Sequence, residues 1–352
     1  MVYSTISEHA IQIAFWLCII LFIISIAILL EVTWLRFNKI YEENCRKLFL
    51  KNWQPVLIQR ALGEQPALPI LSKSDVDRFL ILWLHFQGSM LGEPRGHLNA
   101  IIHDVGLLKE LKRRLHKGTV IDRMVAITSF GYLRDQSVWN ELENLVHSPV
   151  LVLSILAARA LISIDAAKAT LIVFPLFAER RDWPAAKVAQ ILNESPEIVA
   201  SFLDFIEKAI QEKQPYLIRL LRLLHVQHLN KSPLFIKDIL NHSDNPELVL
   251  AALKLVREPR DLDLVRKRLC DDSWQVKVQA VKLLGRLGGI QDIPQLVSLL
   301  ESKDWWLRYR AASSINLMPL LKKNDLEEIK ANLTDPYSSE MFEYAIATKD
   351  IL

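Results

Sequence analysis

Asp271-Asp272-Ser273-Trp274-Gln275-Val276-Lys277-Val278-Gln279-Ala280-Val281-Lys282-Leu283-Leu284-Gly285 is the stretch whose reading decides the fold. An acidic, hydroxyl-bearing start precedes apolar residues that return every three or four positions, which is the spacing of one buried helix face. The same pattern recurs at Met124-Val125-Ala126-Ile127-Thr128-Ser129-Phe130-Gly131. Aligning Ala280 with Ala126 places equivalent positions at Ala158, Ala186, Leu220, Ala252 and Ala311. The successive spacings are 32, 28, 34, 32, 28 and 31 residues. A period near 31 with two helices per unit is the signature of a stacked helical repeat. The recurring small residue fits that architecture, because neighbouring helices must approach closely there.

The next unit, Asp304-Trp305-Trp306-Leu307-Arg308-Tyr309-Arg310-Ala311-Ala312, keeps the order of residue types. These two units resemble the HEAT-repeat family, which carries an Asp at the turn, a Val-basic pair and an Ala on its second helix. The matching positions are Asp272, Val276, Lys277 and Ala280, with Gly285 closing the helix, and then Asp304, Leu307, Arg308 and Ala311. The resemblance implies an Asp-to-basic ladder between neighbouring repeats at Asp272/Lys277 and Asp304/Arg308. It covers residues 119–335 and thins toward the N-terminus, where Ser148-Pro149 replaces the turn Asp. The expected fold class is all-α, a single N-terminal transmembrane helix followed by a HEAT-repeat α-solenoid.

Upstream, 75–118 reads as helical with degenerate repeats. Ser74 is the expected N-cap of a helix over Asp75–Leu91, Gly92–Gly96 a turn, and 97–116 helical again, closing at Lys117–Gly118. Residues 36–74 read as a juxtamembrane helix, kinked or restarted at Pro55, and a Pro-bearing linker from Gly63 to Ser74. Residues 336–352 read as a C-terminal cap.

Between Ile11 and Leu30, eighteen of twenty residues are apolar, interrupted by Gln12 and Ser25. Twenty helical residues at ~1.5 Å each span ~30 Å, the thickness of a bilayer's hydrocarbon core. A transmembrane helix is therefore expected over 11–35, with its bilayer contact at 11–30. A cleaved signal peptide fits less well: no Lys or Arg precedes the run, and no small-residue cleavage site follows. Arg36, Lys39, Arg46, Lys47 and Lys51 lie on the C-terminal side, and 1–10 hold no Lys or Arg. The positive-inside rule then puts 1–10 outside and the C-terminal domain in the cytoplasm.

Composition excludes several classes. The net charge of +3 is far from that of a strongly basic nucleic-acid binder, and 10 glycines leave little room for phosphate-cradling loops. Cys18, Cys45 and Cys270 are too few and too scattered for a disulfide framework or a metal site. Nucleotide-binding, zinc-protease and hydrolase-elbow motifs are absent from the sequence. His225 and His228 share a helix face, yet no carboxylate or cysteine stands near enough in sequence to complete a metal site. The expectation is no metal, no cofactor, no nucleic acid and no catalytic residue.

Two features bear on partners. Trp183, Trp274, Trp305 and Trp306 each follow an Asp or Ser near the start of a second helix. Repetition of the position favours an indole plug between stacked units; the other reading is an exposed aromatic ridge. Basic residues also cluster in the C-terminal half, several of them on second helices: Arg219, Arg222, Lys254, Arg257, Lys277, Lys282, Arg286, Arg308 and Arg310. They form either a solvated face or a stripe for an acidic partner segment or anionic lipid heads. The candidate partner-binding set is Arg222, Lys254, Lys282, Arg286, Trp305, Trp306, Arg308 and Arg310.

At a finer level, the anchor together with Arg181-Asp182-Trp183-Pro184 and Asp304–Arg310 resembles bacterial membrane-anchored HEAT proteins. These accompany envelope glycosyltransferases that make exopolysaccharide. That resemblance implies a bacterial inner-membrane scaffold for such a glycosyltransferase or its regulator. The alternative is a non-catalytic or lyase-like subunit that uses the concave face, as in HEAT proteins that attach bilin pigments.

Overall fold

The computed structural model describes residues 2–90, 92–194, 196–227, 229–319 and 321–347, with side chains from Trp16 onward except at 17, 18, 20 and 196. Expectations that rest on the side chains of 1–10, on Cys18, on His228 or on 348–352 lie outside the described residues. Among the described residues every regular element is helical and no strand forms, so the fold is all-α.

The chain divides into two compact units, Met1–Leu133 and Arg134–Leu352. The first contains α1 (Val2–Ala61), α2 (Val76–Ser89), α3 (Glu93–Asp104), α4 (Leu108–Lys117) and α5 (Val120–Leu133). One helix, α1, runs without a break through both the apolar stretch and the juxtamembrane stretch, and it continues through Pro55 with no restart. Its two halves live in different surroundings. Leu21, Phe22, Leu29, Leu30 and Trp34 are exposed, whereas Phe49, Trp53, Val56 and Leu57 are buried. Trp53 meets Phe79 of α2 edge to face at 4.7 Å, and the Nε1–H of buried Trp83 donates to the Leu98 carbonyl of α3 at 2.9 Å. Both aromatic residues bury a large apolar surface, and the buried indole N–H keeps an acceptor. Arg60 near the end of α1 pairs with Asp104 at the end of α3.

Three local expectations change here. Ser72, not Ser74, organises the start of α2, its hydroxyl donating to Asp75 at 2.6 Å. The span 97–116 is two helices, because Gly106 at φ +73° turns the chain between α3 and α4. A left-handed residue of that kind ends a helix, and Gly adopts it without a Cβ penalty. The expected turn at Gly92–Gly96 is confined to Gly92, since α3 already begins at Glu93.

The second unit is a succession of helix pairs. First helices are α6 (Trp139–Val146), α8 (Ala166–Glu179), α10 (Pro196–Gln211), α12 (Ile236–His242), α14 (Leu262–Lys267), α16 (Ile293–Ser298) and α18 (Lys323–Ala331). Second helices are α7 (Leu151–Ile164), α9 (Ala185–Leu192), α11 (Leu217–His225), α13 (Pro246–Leu253), α15 (Trp274–Leu287), α17 (Trp305–Leu317) and α19 (Pro336–Ala347). Each second helix packs on the next, from α7 through to α19. That is the stacking expected of a solenoid-like array, in which a repeat buries its apolar face only against neighbours.

The anchor residues sit where the repeat logic needs them, with one exception. Ala126, Ala158, Leu220, Ala252, Ala280 and Ala311 are fully buried, and so is Val276. Ala186 is exposed, and the buried small residue on α9 is Ala189. Anchoring on Ala189 makes the spacings 32, 31, 31, 32, 28 and 31, which is more regular than the sequence alignment. A close approach occurs at Gly285 of α15, where an added Cβ would lie 2.5 Å from the Ser314 Cβ and 2.7 Å from its Cα on α17.

Candidate functional site

Four basic side chains converge on one cleft in the second unit. Its volume is about 430 Å³, and its walls come from the ends of α11, α13, α15 and α17. Lys254 follows α13, Lys282 and Arg286 lie on α15, and Arg310 lies on α17. Gln279 and Ser314 add neutral polar groups, while Leu283, Leu317 and Pro319 form an apolar wall. No acidic side chain is among the described residues that line it.

Local structure explains why the cations gather. A helix C-terminus leaves carbonyls without intrahelical partners and carries a partial negative charge. At the end of α13 the Lys254 carbonyl accepts from His225 Nδ1 at 3.0 Å and from Arg257 at 2.7 Å. The Val256 carbonyl accepts from Arg286 at 2.8 Å and from Arg257 at 3.0 Å. Partial helix charge is small beside these full charges, so the cleft keeps a positive excess. Its electrostatic trace is at Arg257, where burial and then the neighbouring Arg286 charge lower the pKa. On α17, the Arg310 Nε is buried and has no hydrogen-bond partner.

The same carbonyl-capping device recurs between repeats and replaces the expected Asp-to-basic ladder. Arg219 donates to the Phe177 and Arg180 carbonyls at 2.7 and 2.5 Å, closing the end of α8. Arg268 donates to the Leu240 and Ser243 carbonyls at 2.6 and 3.0 Å, closing α12. Arg180 reaches the Ser148 carbonyl at 3.1 Å beyond α6. Asp304 caps its own helix instead of pairing with Arg308, its carboxylate accepting from Trp306 N at 2.9 Å and Leu307 N at 3.3 Å. Asp272 is exposed, and it is Asp271 that pairs, with Arg268 at 3.0 Å. An inter-repeat ion pair with a buried carboxylate joins Arg266 of α14 to Asp292 ahead of α16 at 2.6 Å. Burial alone would raise the Asp292 pKa, but the Arg266 hydrogen bonds and the Gly289 N–H outweigh it and hold it below the usual carboxylate range.

The remaining candidates lie elsewhere. Arg222 pairs with Glu247 at 3.2 Å on an open surface, where such a pair contributes little. Arg308 sits over the Tyr337 ring at 6.0 Å. Trp305 stacks on Tyr309 at 5.5 Å with 9° between planes and meets Trp306 edge to face at 4.9 Å. Tyr309 in turn contacts Tyr344 of α19 at 6.0 Å. The indole plug is realised only at Trp183, which is 2% exposed against Phe177. Trp274, Trp305 and Trp306 are 45%, 46% and 55% exposed, so these three indoles do not plug the junction between units. The capping arginines were the residues the sequence hid. Their partners are backbone carbonyls about 25 to 42 positions away, which no side-chain pattern announces.

Residues 234–316, which include α12 through most of α17, match the family model described as HEAT repeats. No curated protein matches the chain. The match and the stacked helix pairs support a HEAT-repeat family, a helical framework of the kind used for protein interaction.

Proposed function

We propose that this protein is a membrane-tethered HEAT scaffold that holds a protein partner along the aromatic edge of its last repeats. The observation that carries the reading is the row of half-exposed tryptophans, Trp274, Trp305 and Trp306, at the start of consecutive second helices. Trp, Tyr and Arg are the residue types that dominate protein–protein binding energy, and a large exposed aromatic patch on a folded domain marks an interaction site. Tyr309, Tyr344 and Arg308 over Tyr337 extend the patch within the same edge.

The tether is α1. Its described stretch Leu21–Ala61 contains a fully exposed window long and apolar enough to cross a membrane, a test of length and composition that an N-terminal signal sequence also passes. Charge asymmetry supports an N-terminus outside and the repeats in the cytoplasm of a bacterial inner membrane. A tether confines the repeats to the membrane plane and raises their effective concentration toward any membrane partner. The partner proposed is a polysaccharide-synthesising glycosyltransferase or its regulator, on the strength of the sequence resemblance.

Purification of the full chain in mild detergent should recover a companion protein in constant ratio. Trp305→Ala with Trp306→Ala should lose that companion while the helical circular dichroism signal is kept, since both indoles are half exposed. Repeated recovery of the chain alone, or retention of the companion by the double variant, would overturn the reading.

A further inference from the structure

We infer that the basic cleft at α11–α17 is a separate binding site for a small organic phosphate with at least two phosphoryl charges, of the nucleoside-diphosphate class. Three observations carry this, and none rests on the scaffold reading. First, the size is that of a small-molecule site: about 430 Å³ lies within the ~300–1,000 Å³ usual for ligand pockets. A continuous peptide groove would run past the cleft along several more repeats. Second, the charge is concentrated and uncompensated. Lys254, Lys282, Arg286 and Arg310 line a cleft with no acidic lining residue among those described. A phosphoryl group brings roughly −1.5 to −2 charges in one compact, oxygen-rich unit, whereas a peptide brings one per acidic residue. Lys supplies a mobile point charge and Arg a planar fork, the pair of donors suited to phosphate oxygens.

Third, one of the four donors is held in place before any ligand arrives. Arg286 is held by its bond to the Val256 carbonyl, and Lys282, one helical turn earlier on α15, is exposed. Arg310 reaches the same cleft from α17, so the cations come from two neighbouring repeats and not from one helix. Leu283, Leu317 and Pro319 add apolar lining to the same cleft, against which a ring or short carbon skeleton packs. The phosphoryl groups are thus matched by Lys254, Lys282, Arg286 and Arg310, and the organic part by the apolar lining.

The test is calorimetric titration of the full chain in detergent micelles with pyrophosphate, ADP, adenosine and hexaglutamate. Pyrophosphate and ADP should each saturate one site, ADP the tighter, and adenosine should not bind. Lys254→Gln combined with Lys282→Gln should weaken both at least tenfold with Tm unchanged, since neither side chain is buried. On the unaltered protein, ADP should protect Lys254 and Lys282 from acetylation while exposed Lys267 stays reactive. Failure of pyrophosphate and ADP to saturate, undiminished binding by the double variant, or absence of protection would overturn the assignment. Equal affinity for hexaglutamate at the same lysines would also overturn it, assigning the cleft to an acidic peptide. Neither readout involves the companion protein, so failure here leaves the scaffold reading standing on its own test.

Discussion

At the scale of single residues, Gly285 shows how close packing overrides helix propensity. Alanine normally favours a helix over glycine by about 1 kcal/mol. At Gly285 the added methyl would meet the Ser314 backbone on α17, and backbone cannot turn aside as a side chain can. Gly285→Ala is therefore expected to destabilise by ~1–3 kcal/mol, read as a lower denaturation midpoint in urea. A midpoint that rises would show that α15 and α17 separate freely. Asp292 carries a second prediction. Its folded pKa is depressed, so the unfolded state binds the proton more readily in acid. The Arg266–Asp292 contribution is present above the unfolded value of ~3.9 and is lost as pH falls through the lower folded value. Asp292→Asn should lower stability at pH 7 and flatten that part of the acid limb; an unchanged acid limb would exclude the pair as its source.

At the scale of elements, second helices were legible in the sequence because their burial is one-sided and periodic. Ala126, Ala158, Ala252, Ala280 and Ala311 could be aligned before any coordinates, and all five are buried. The exception is instructive. Pro184 starts α9 late and the helix is only 8 residues long, so the buried face falls on Ala189 and not Ala186. Tryptophan burial was not legible, since Trp183 and Trp305 share a local pattern and differ only in what the fold stacks beside them. The cleft was half legible: the basic residues stood out, but which of them converge depends on the carbonyls at the end of α13. For α1, burial at Trp53 predicts that Trp53→Ala costs ~3–5 kcal/mol, measured by thermal or chemical denaturation of the full chain. A loss below ~1 kcal/mol would show that the C-terminal half of α1 is only loosely packed.

At the scale of the whole molecule, a stack of helix pairs transmits damage along the array, because each unit is stabilised by its neighbours. Ala280 is fully buried on α15, the helix that packs on both α13 and α17, and Ala280→Arg places an unpaired charge there. Hydrogen exchange should speed up in α13, α15 and α17 together; acceleration confined to α15 would refute coupled repeats. The long first helix has a different mechanical character. No loop interrupts α1 between the exposed apolar stretch around Leu21–Trp34 and the packed residues Phe49–Leu57. A helix advances ~100° per residue, so one residue inserted after Ile40 would turn the upstream face by that angle relative to the core that grips Trp53. The helix is thus a drive shaft: rotation or axial pull applied at Trp34 arrives at the core of the first unit undamped by any hinge.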